Sequence, residues 1–517
     1  MKRTLRWMAL AALCAGLLLS GGCAAAEGVQ VLRADELFSE RDLRQSYEAA
    51  GAVTISLSGE SASCDSEAVV IEGSRIVIGT EGVYVLTGTL SDGQVVVSAG
   101  EKDKVQLVLS GADITSGTSA AIYCLSADKV FLTLEEGTQN VLANGGSFVA
   151  IDENNIDAAV FAKTDLTLSG AGSLTVSSPA GHGIVSKDEL TITGGTYGIT
   201  AAGHGMTGKD GIAIAAGSFA IVSGKDGIHA EHEDAQKGFL YAADGSFVIE
   251  SQGDALSASG AMKIDGGTYV LTAGGGSAGV TMSTGDAMQR GGFRSFGQSM
   301  APVQEEENAQ SCKGIKADGQ IVIRAGTFTL DTADDAVHGG ADITIAGGRW
   351  SIRTGDDAIH ADAAVRITDG EFDIPTCYEG VEGQSVSIEG GTLVITAYDD
   401  GLNAAGGADA SGRRFGFGRQ DEFAAVDGCE IVISGGSITI VSGGDSIDSN
   451  GTLTVSGGTL DLTCNGNGNT AIDTNGTFTH TGGEIVTNDG SENGTGGMDG
   501  GKGRGSRMGG GQRREAP

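Results

Sequence analysis

Hydrophobic and polar residues alternate along most of the chain in short segments. Apolar residues take every second position, as in Phe328-Thr329-Leu330 and Trp350-Ser351-Ile352. A period of two is typical of β-strands with one buried face, and no helical period of apolar residues separates the segments. The chain is therefore predicted to be all-β.

A glycine pair, or a small residue followed by glycine, precedes most of these segments from about residue 166 to residue 487. Gly326, Gly348 and Gly370 follow one another at 22 residues, which is the commonest spacing. Repeats made of strands and glycine turns indicate a solenoid, here a parallel β-helix with about 22 residues per coil. Glycine is expected at corners with positive φ. A β-propeller is the alternative, but its blades need about 40 to 45 residues.

The repeat divides the chain into segments. The coils are predicted to run over 51–487, with insertions at 283–311 and 404–428 that lengthen the spacing without breaking the register. These insertions are expected to be mobile loops. Residues 27–50 are expected to be a linker or a segment that caps the first coil. The Gly- and Arg-rich tail, 488–517, is expected to be disordered.

The first 26 residues carry an export signal. Lys2, Arg3 and Arg6 precede an apolar run over 8–19, the order expected of a signal peptide. Cys23 follows small residues at the end of this run, in a sequence that resembles a bacterial lipobox. We therefore expect lipidation of Cys23 and a cell-surface, extracellular protein. Cleavage at the alanines of 24–26, which would give a freely secreted form, is the alternative.

Composition narrows the possible partners. With 32 Lys and Arg against 67 Asp and Glu, the formal net charge is -35. This charge argues against nucleic acid or an anionic lipid surface as partner, and leaves membrane contact to a lipid anchor. The chain has 88 Gly and 4 Pro, too few prolines for collagen. The six cysteines beyond the leader have no CxxC spacing and are expected to be buried thiols. The protein is expected to be a monomer.

A polar residue, a small residue and an aliphatic residue follow most repeat glycines by nine positions. Three coils carry two carboxylates here, and Glu379 stands in a coil between them. Neighbouring coils lie about 4.8 Å apart, where two unit charges repel by roughly 3.5 kcal/mol at an effective dielectric of 20. Calcium would relieve this repulsion, because it accepts six to eight oxygen ligands. The candidate ligands are Asp334, Asp335, Asp356, Asp357, Glu379, Asp399 and Asp400.

Two other interpretations of this acidic column stay open. His229, His338 and His360 each stand three residues after an acidic residue, so a mixed His and Asp set could hold a transition metal. The column could also be a solvated acidic edge.

Evidence for catalysis in the sequence is limited. Lys209, Lys225 and Lys313 lie beside or within the column, where a lysine near calcium could act as the base of a β-eliminating lyase. Each lysine could equally neutralise neighbouring carboxylates. An aromatic column shares the inward face of its strands and is predicted to form a core ladder rather than a sugar platform. It consists of Tyr197, Phe219, Phe247, Tyr269, Phe328, Trp350 and Phe372.

The N-terminal part of the chain resembles a bacterial family of extracellular carbohydrate-binding β-helix proteins. The resemblance rests on residues 38–43, 82–88, 103–109 and 121–123, together with the Asp-Gly-Ile coils that follow. It implies a right-handed parallel β-helix similar to the calcium-dependent pectate lyases of polysaccharide lyase family nine. It also implies bound calcium and a partner such as cellulose or polygalacturonate. The acidic turn positions implied by the family fall on Asp226, Asp254, Asp335, Asp357 and Asp400.

The coils of His182, His204 and Thr470 lack the acidic residue, so metal sites are expected to be local. The leading hypothesis is a non-catalytic, cell-surface protein that binds polysaccharide and holds calcium at the paired-Asp turns. A calcium-dependent pectate lyase and a structural or adhesive surface protein are the alternatives.

Overall fold

A computed structural model describes residues 32–282, 310–405 and 425–493. The predicted leader with Cys23 lies outside the described residues. So do most of the two predicted insertions and most of the predicted tail.

The chain forms a β-solenoid, which confirms the predicted parallel β-helix. It has about 15 turns spaced about 24 residues apart, and almost no helix. Uninterrupted coils keep the predicted 22 residues, since Val337 pairs in register with Ile359. The average is larger because some coils carry insertions. The helical segments are Ala34–Leu37 and the 3-10 turns Ser277–Gly279 and Ser491–Asn493.

Each regular coil contributes one strand to each of three parallel faces. Face A carries the aromatic column and contains Gln139–Asn144, Ser173–Ser178, Thr196–Ala201, Ser218–Ser223, Ser246–Ser251, Thr268–Ala273, Thr327–Thr332, Arg349–Thr354, Glu371–Cys377, Thr392–Ala397, Ser437–Ser442, Thr459–Cys464 and Glu484–Thr487. Face B follows face A along the chain and contains Arg75–Ile78, Gln94–Ser98, Ile122–Ser126, Ala158–Ala162, His182–Ser186, Met206–Gly208, Ile228–Ala230, Leu256–Ala258, Ile315–Ala317, Val337–Gly339, Ile359–Ile367, Val381–Ile388, Leu402–Ala404, Ile447–Ser449 and Ile472–Thr474.

Face C completes the coil, and the second halves of Ile359–Ile367 and Val381–Ile388 also belong to it. Its other strands are Lys129–Leu134, Asp165–Gly170, Glu189–Ile192, Gly211–Ile214, Phe239–Ala242, Met262–Ile264, Ile321–Ile323, Ile343–Ile345, Glu430–Ile433, Thr452–Val455 and Phe478–His480. The first coils are formed by Val53–Gly59, Ser61–Ser63, Val69–Glu72, Gly82–Leu90 and Lys104–Ser116. Among the described residues, no helix has the length and apolar character needed to cross a bilayer.

The aromatic column is buried inside face A, as predicted. The Trp350 ring lies 3.8 Å from the Phe328 ring and 5.6 Å from the Phe372 ring, centroid to centroid, with near-parallel planes. Trp350 is 1% exposed. These side chains stack because parallel strands in register place equivalent residues directly above one another. The aromatic column is therefore part of the core.

The corner before face A requires glycine because of its backbone conformation and the space available. Gly348 has a φ of 105°, and a Cβ there would lie 3.0 Å from Trp350 Nε1 and 3.1 Å from the Gly326 carbonyl oxygen. Both the conformation and the space therefore exclude a larger residue. One coil differs from the predicted spacing, because Gly170, rather than Gly172, has the positive φ of 101°.

Residues 32–47 lie along face C as a strap, instead of covering the first coil. Lys263 Nζ donates to the Leu32 carbonyl at 2.9 Å, and Tyr47 donates to Glu135 at 3.0 Å, so the strap spans several coils. Asp42 is 3% exposed and accepts hydrogen bonds from Thr167 at 2.6 Å and Lys129 at 2.7 Å. The polar anchors in this segment give no periodic signal that would have revealed its place.

The cysteines of the described ranges are free thiols, as predicted, but only three of the six are buried as the sequence analysis expected. Cys124, Cys377 and Cys429 are buried, while Cys64, Cys312 and Cys464 are partly exposed.

Candidate functional site

The corner between faces A and B carries a ladder of side-chain acceptors. Asp226 Oδ1 accepts the backbone N–H of Asp254 at 2.9 Å, and Asp254 Oδ1 accepts that of Lys313 at 2.8 Å. A side-chain acceptor binds the backbone N–H of the next coil in the same way at most other steps of the corner, and in the first coils the acceptor is the Nδ1 of His182 or His204. This corner ladder consists of His182, His204, Asp226, Asp254, Lys313, Asp335, Asp357, Glu379, Asp400, Asp445 and Thr470.

The corner ladder gives the acidic column a structural role. A buried backbone N–H without an acceptor costs about 1–3 kcal/mol, and one carboxylate oxygen per coil meets this need. Lys313 has no acceptor to offer, and the N–H of Asp335 bonds instead to Asp334 Oδ1 at 2.9 Å. Where a carboxylate forms the ladder bond, its second oxygen is left for other partners, as Asp226 Oδ2 is for His229.

A second polar column stands three residues further along the chain, on face B. Its members are in parallel register from coil to coil, beside the corner ladder. This outer column consists of His229, Ser257, Lys316, His338, His360, Glu382, Asn403, Asp448 and Asp473.

Basic side chains compensate the first carboxylates of the corner. Asp226 Oδ2 lies 2.7 Å from His229 Nδ1, and Asp335 Oδ2 lies 2.6 Å from Lys313 Nζ and 2.8 Å from His338 Nδ1. Burial alone would raise the pKa values of both carboxyls, but these neighbours hold both pKa values well below the usual range. This part of the corner is neutralised by the protein itself.

The middle of the corner is buried and acidic. His360 Nδ1 lies 3.3 Å from Asp357 Oδ2 and 3.5 Å from Glu382 Oε2. Asn403 donates to Glu379 at 2.7 Å. Burial, and then the charge of neighbouring carboxylates, raises the pKa values of Asp357 and Glu379. Burial lowers the pKa of His360, but Asp357 and Glu382 raise it overall to about 9.

The C-terminal part of the corner gathers carboxylates alone. Asp445, Asp448 and Asp473 bring one oxygen each within 4.8 Å of one another. Burial, together with the charges of Asp448 and Asp473, raises the pKa of Asp445 to about 7. Sequence analysis missed this cluster, although Asp445-Ser446-Ile447 follows the same polar, small, aliphatic pattern as the predicted turns.

The predicted metal ligands all lie on the corner ladder or directly before it. They do not form one site. The structure brings Asp334, Asp335 and Asp356 within 4.8 Å of one another, but Lys313 Nζ contacts Asp334 at 2.7 Å. The predicted ligand Asp226 lies beside His229. Metal binding by the predicted residues remains a prediction.

The remaining predicted ligands have other neighbours. Asp254 accepts a hydrogen bond from Ser311 at 2.7 Å, and Asp399 accepts one from the Tyr378 hydroxyl at 2.9 Å. Asp400 Oδ1 accepts the N–H of Asp445 at 2.6 Å.

An exposed aromatic ring lies where face A meets the acidic corner. Tyr398 is 43% exposed, and its ring centroid lies 6.2 Å from that of Tyr378, with 26° between the ring planes. Sequence analysis missed this platform because Tyr398 follows the strand Thr392–Ala397 and lies outside the aromatic column. An open cleft of about 400 Å³ adjoins it. The cleft is lined by Thr396, Ala397, Tyr398, Val441, Ser442, Gly443 and Asn465.

The fold and this site define a β-solenoid protein with an open aromatic cleft beside an acidic corner. A family model described as carbohydrate-binding domain-containing protein matches residues 72–358 and 356–505, which together are more than half of the chain. The chain therefore belongs to this carbohydrate-binding domain family, as the sequence resemblance indicated.

Two known proteins are similar to parts of the chain. A carbohydrate-binding domain-containing protein of Acetivibrio thermocellus is 38% identical over 204 residues, which are 39% of this chain and 71% of that protein. A solved structure of a polysaccharide lyase-like protein from C. thermocellum, a gadolinium derivative, is 29% identical, with a TM-score of 0.40. The matched region covers 42% of this chain and 92% of the chain in that structure.

Proposed function

We propose that this protein binds polysaccharide at the cell surface without cleaving it. The observation that carries the proposal is the exposed ring of Tyr398, at an open cleft in a member of a carbohydrate-binding family. An aromatic ring offers a flat apolar face, which suits the C–H face of a sugar ring. The hydroxyl of Thr396 and the amide of Asn465, both exposed, supply polar groups for sugar hydroxyls.

The surface beside the cleft suits an extended polymer. The outward side chains of face A are short or β-branched here, as at Thr392, Val394 and Val441, and they are exposed. Strands in register make this surface even from coil to coil. A polysaccharide chain could therefore contact several coils, with Tyr398 at the edge next to the corner.

The state of Lys313 favours binding over β-elimination. A lyase base must be neutral to accept a proton. Burial would lower the pKa of Lys313, but its contacts with Asp335 and Asp334 raise the pKa above the usual value. These contacts favour the charged ammonium as long as no other cation occupies the two carboxylates. Lys209 and Lys225, the other candidate bases, are exposed to solvent.

Calcium is proposed at the acidic corner. The oxygen-only set of Asp445, Asp448 and Asp473 fits a hard cation, and a cation there would stabilise the ionised form of Asp445, whose pKa is raised by burial and by the charges of Asp448 and Asp473. At Asp334 and Asp335 a calcium ion would have to share the carboxylates with Lys313. Attachment to the cell surface through a lipid on Cys23, and a monomeric state, complete the proposal.

Binding to insoluble polysaccharide tests the proposal. Tyr398→Ala should weaken retention on cellulose or a polygalacturonate gel by about tenfold, equivalent to about 1.4 kcal/mol, because the stacking face is lost. Tyr398→Phe keeps the ring and should bind like the wild type. Equal retention of the Ala variant on the polymer that the wild type binds would contradict the proposed cleft.

A chelator separates the two polymers. The formal net charge of -35 repels polygalacturonate, so binding to it needs bridging cations and should be lost in chelator. Binding to uncharged cellulose should persist. Retention on polygalacturonate in chelator would contradict the role given to calcium, while leaving the Tyr398 cleft standing.

A further inference from the structure

Asp357, His360 and Glu382 form a cluster that the protein buries in the middle of the corner. Their exposed fractions are 1%, 1% and 3%. Ionisable groups are rarely buried to this degree unless they are paired or bound to a metal. Polysaccharide binding at Tyr398 makes no use of this cluster.

The three donor atoms have the spacing of a metal site. His360 Nδ1 is 3.3 Å from Asp357 Oδ2 and 3.5 Å from Glu382 Oε2, and all three atoms lie within 4.8 Å of one another. Ligands about 2.0–2.2 Å from a tetrahedral zinc ion lie about 3.3–3.6 Å apart. The two short separations fall in this range.

Three buried carboxylates lie in the coil of His360 and in the next coil. They are Asp357, Glu379 and Glu382, and Glu379 interacts electrostatically with the other two. Lys313, the nearest ammonium along the corner, contacts Asp334 and Asp335 at 2.7 and 2.6 Å. A divalent cation bound here would stabilise the ionised carboxylates, which otherwise repel one another.

The imidazole ring of His360 directs Nδ1 toward the cluster. Its other nitrogen, Nε2, is buried and lies 3.8 Å from Asp362 Oδ1, beyond hydrogen-bond distance. A histidine that binds metal through Nδ1 directs its other N–H to a carboxylate or to water. A small movement of Asp362 toward Nε2 would complete this arrangement.

We propose that Asp357, His360 and Glu382 bind a divalent transition-metal ion such as zinc. The imidazole nitrogen distinguishes this cluster from the oxygen-only set of Asp445, because calcium takes oxygen ligands while imidazole suits zinc and its neighbours in the transition series. The site is structural, since its ligands are buried and join two successive coils. It lies next to Asp335, whose Oδ2 is 4.0 Å from His360 Nδ1, and it does not include the ligands of the oxygen-only set or the polysaccharide cleft.

Metal binding by the full chain tests this site. Protein stripped with chelator would be titrated with zinc in the presence of excess calcium, and the bound metal counted by elemental analysis. One tightly held zinc is expected. His360→Gln and Glu382→Gln should each weaken zinc binding by about 10- to 100-fold. His480→Gln removes an exposed histidine outside the cluster and should leave the tight site unchanged.

Cobalt provides a second measurement that does not depend on affinity. Substitution with Co²⁺ should give the visible absorption of a low-coordinate nitrogen and oxygen site in the wild type, and His360→Gln should lose it. Circular dichroism would establish that each variant is folded. Three results would overturn the proposal: no stoichiometric zinc in folded wild type, full displacement of zinc by calcium, or unchanged zinc binding by folded His360→Gln. Each leaves the test of Tyr398 unaffected.

Discussion

Replacing Asp254 separates the structural role of the corner ladder from a role in metal binding. Asp254 is 3% exposed, and its Oδ1 accepts the N–H of Lys313 at 2.8 Å and the hydroxyl of Ser311 at 2.7 Å. Asp254→Asn keeps an oxygen in this place and removes a buried charge. Asp254→Ala leaves both donors without their acceptor.

The expected magnitudes follow from these contacts. Asp254→Ala should cost about 1–3 kcal/mol, because the backbone N–H of Lys313 loses its acceptor while the Ser311 hydroxyl can turn toward water. Asp254→Asn should cost less than about 1 kcal/mol. Burial raises the pKa of Asp254, so losing the charge offsets part of any loss in hydrogen-bond strength.

Hydrogen exchange measures this effect locally, which matters because a solenoid need not unfold in one step. The amide of Lys313 should exchange about 5- to 150-fold faster in Asp254→Ala than in the wild type, the equivalent of about 1–3 kcal/mol. In Asp254→Asn the rate should change by less than about fivefold. Equal acceleration in both variants would refute the ladder as the reason for the carboxylate.

Two further predictions concern stability. Trp350→Ala should lower the free energy of unfolding by about 3–5 kcal/mol, because it removes a buried ring from the aromatic column, and thermal denaturation should show a lower Tm. Val222 is exposed, and Val222→Ala should change the free energy of unfolding by no more than about 0.5 kcal/mol. Equal Tm values for Trp350→Ala and the wild type would contradict the structural role of the aromatic column. The strap should detach at low pH because Asp42 anchors it as a carboxylate. Burial alone would raise the pKa of Asp42, but the hydrogen bonds from Lys129, Ser39 and Thr167 lower this pKa overall. The stabilisation that the Asp42 carboxylate gives to the strap is therefore present above the unfolded pKa of about 4, and it is lost as the pH falls through the lower folded pKa. Limited proteolysis over pH 2–6 would detect this loss as faster cleavage of the strap at low pH. Cleavage at a rate independent of pH would argue against this role of Asp42.

The coil architecture could be predicted because each coil repeats the same physical demands. Inward residues such as Leu330 and Ile352 recur with the strands, and Gly348 recurs where the backbone needs a positive φ. Such constraints are local to a coil, so a single sequence displays them many times. The predicted spacing of 22 therefore recurs in several coils, as from Phe328 to Trp350.

The candidate site was less predictable because its contacts are between coils. The acidic column was visible, but its hydrogen bonds to the next backbone N–H were not, so its carboxylates were explained by cations alone. Glu382 and Asp473 belong to the outer column, which mixes histidine, lysine, serine and acidic residues and has no constant residue type. Tyr398 stands outside the aromatic repeat and occurs in a single coil.

The strap has a consequence for the evolution of coil number. It spans face C from Glu135 to Lys263 with anchors at fixed positions, so one strap length fits one number of coils in that region. Duplication or deletion of a coil there would leave Asp42 opposite the wrong partners. Coils beyond Lys263 have no such constraint from the strap. We expect homologues to vary in length mainly in the C-terminal coils, where Tyr398 and the oxygen-only set of Asp445 lie, so that the binding region can diversify while the strapped part keeps its size.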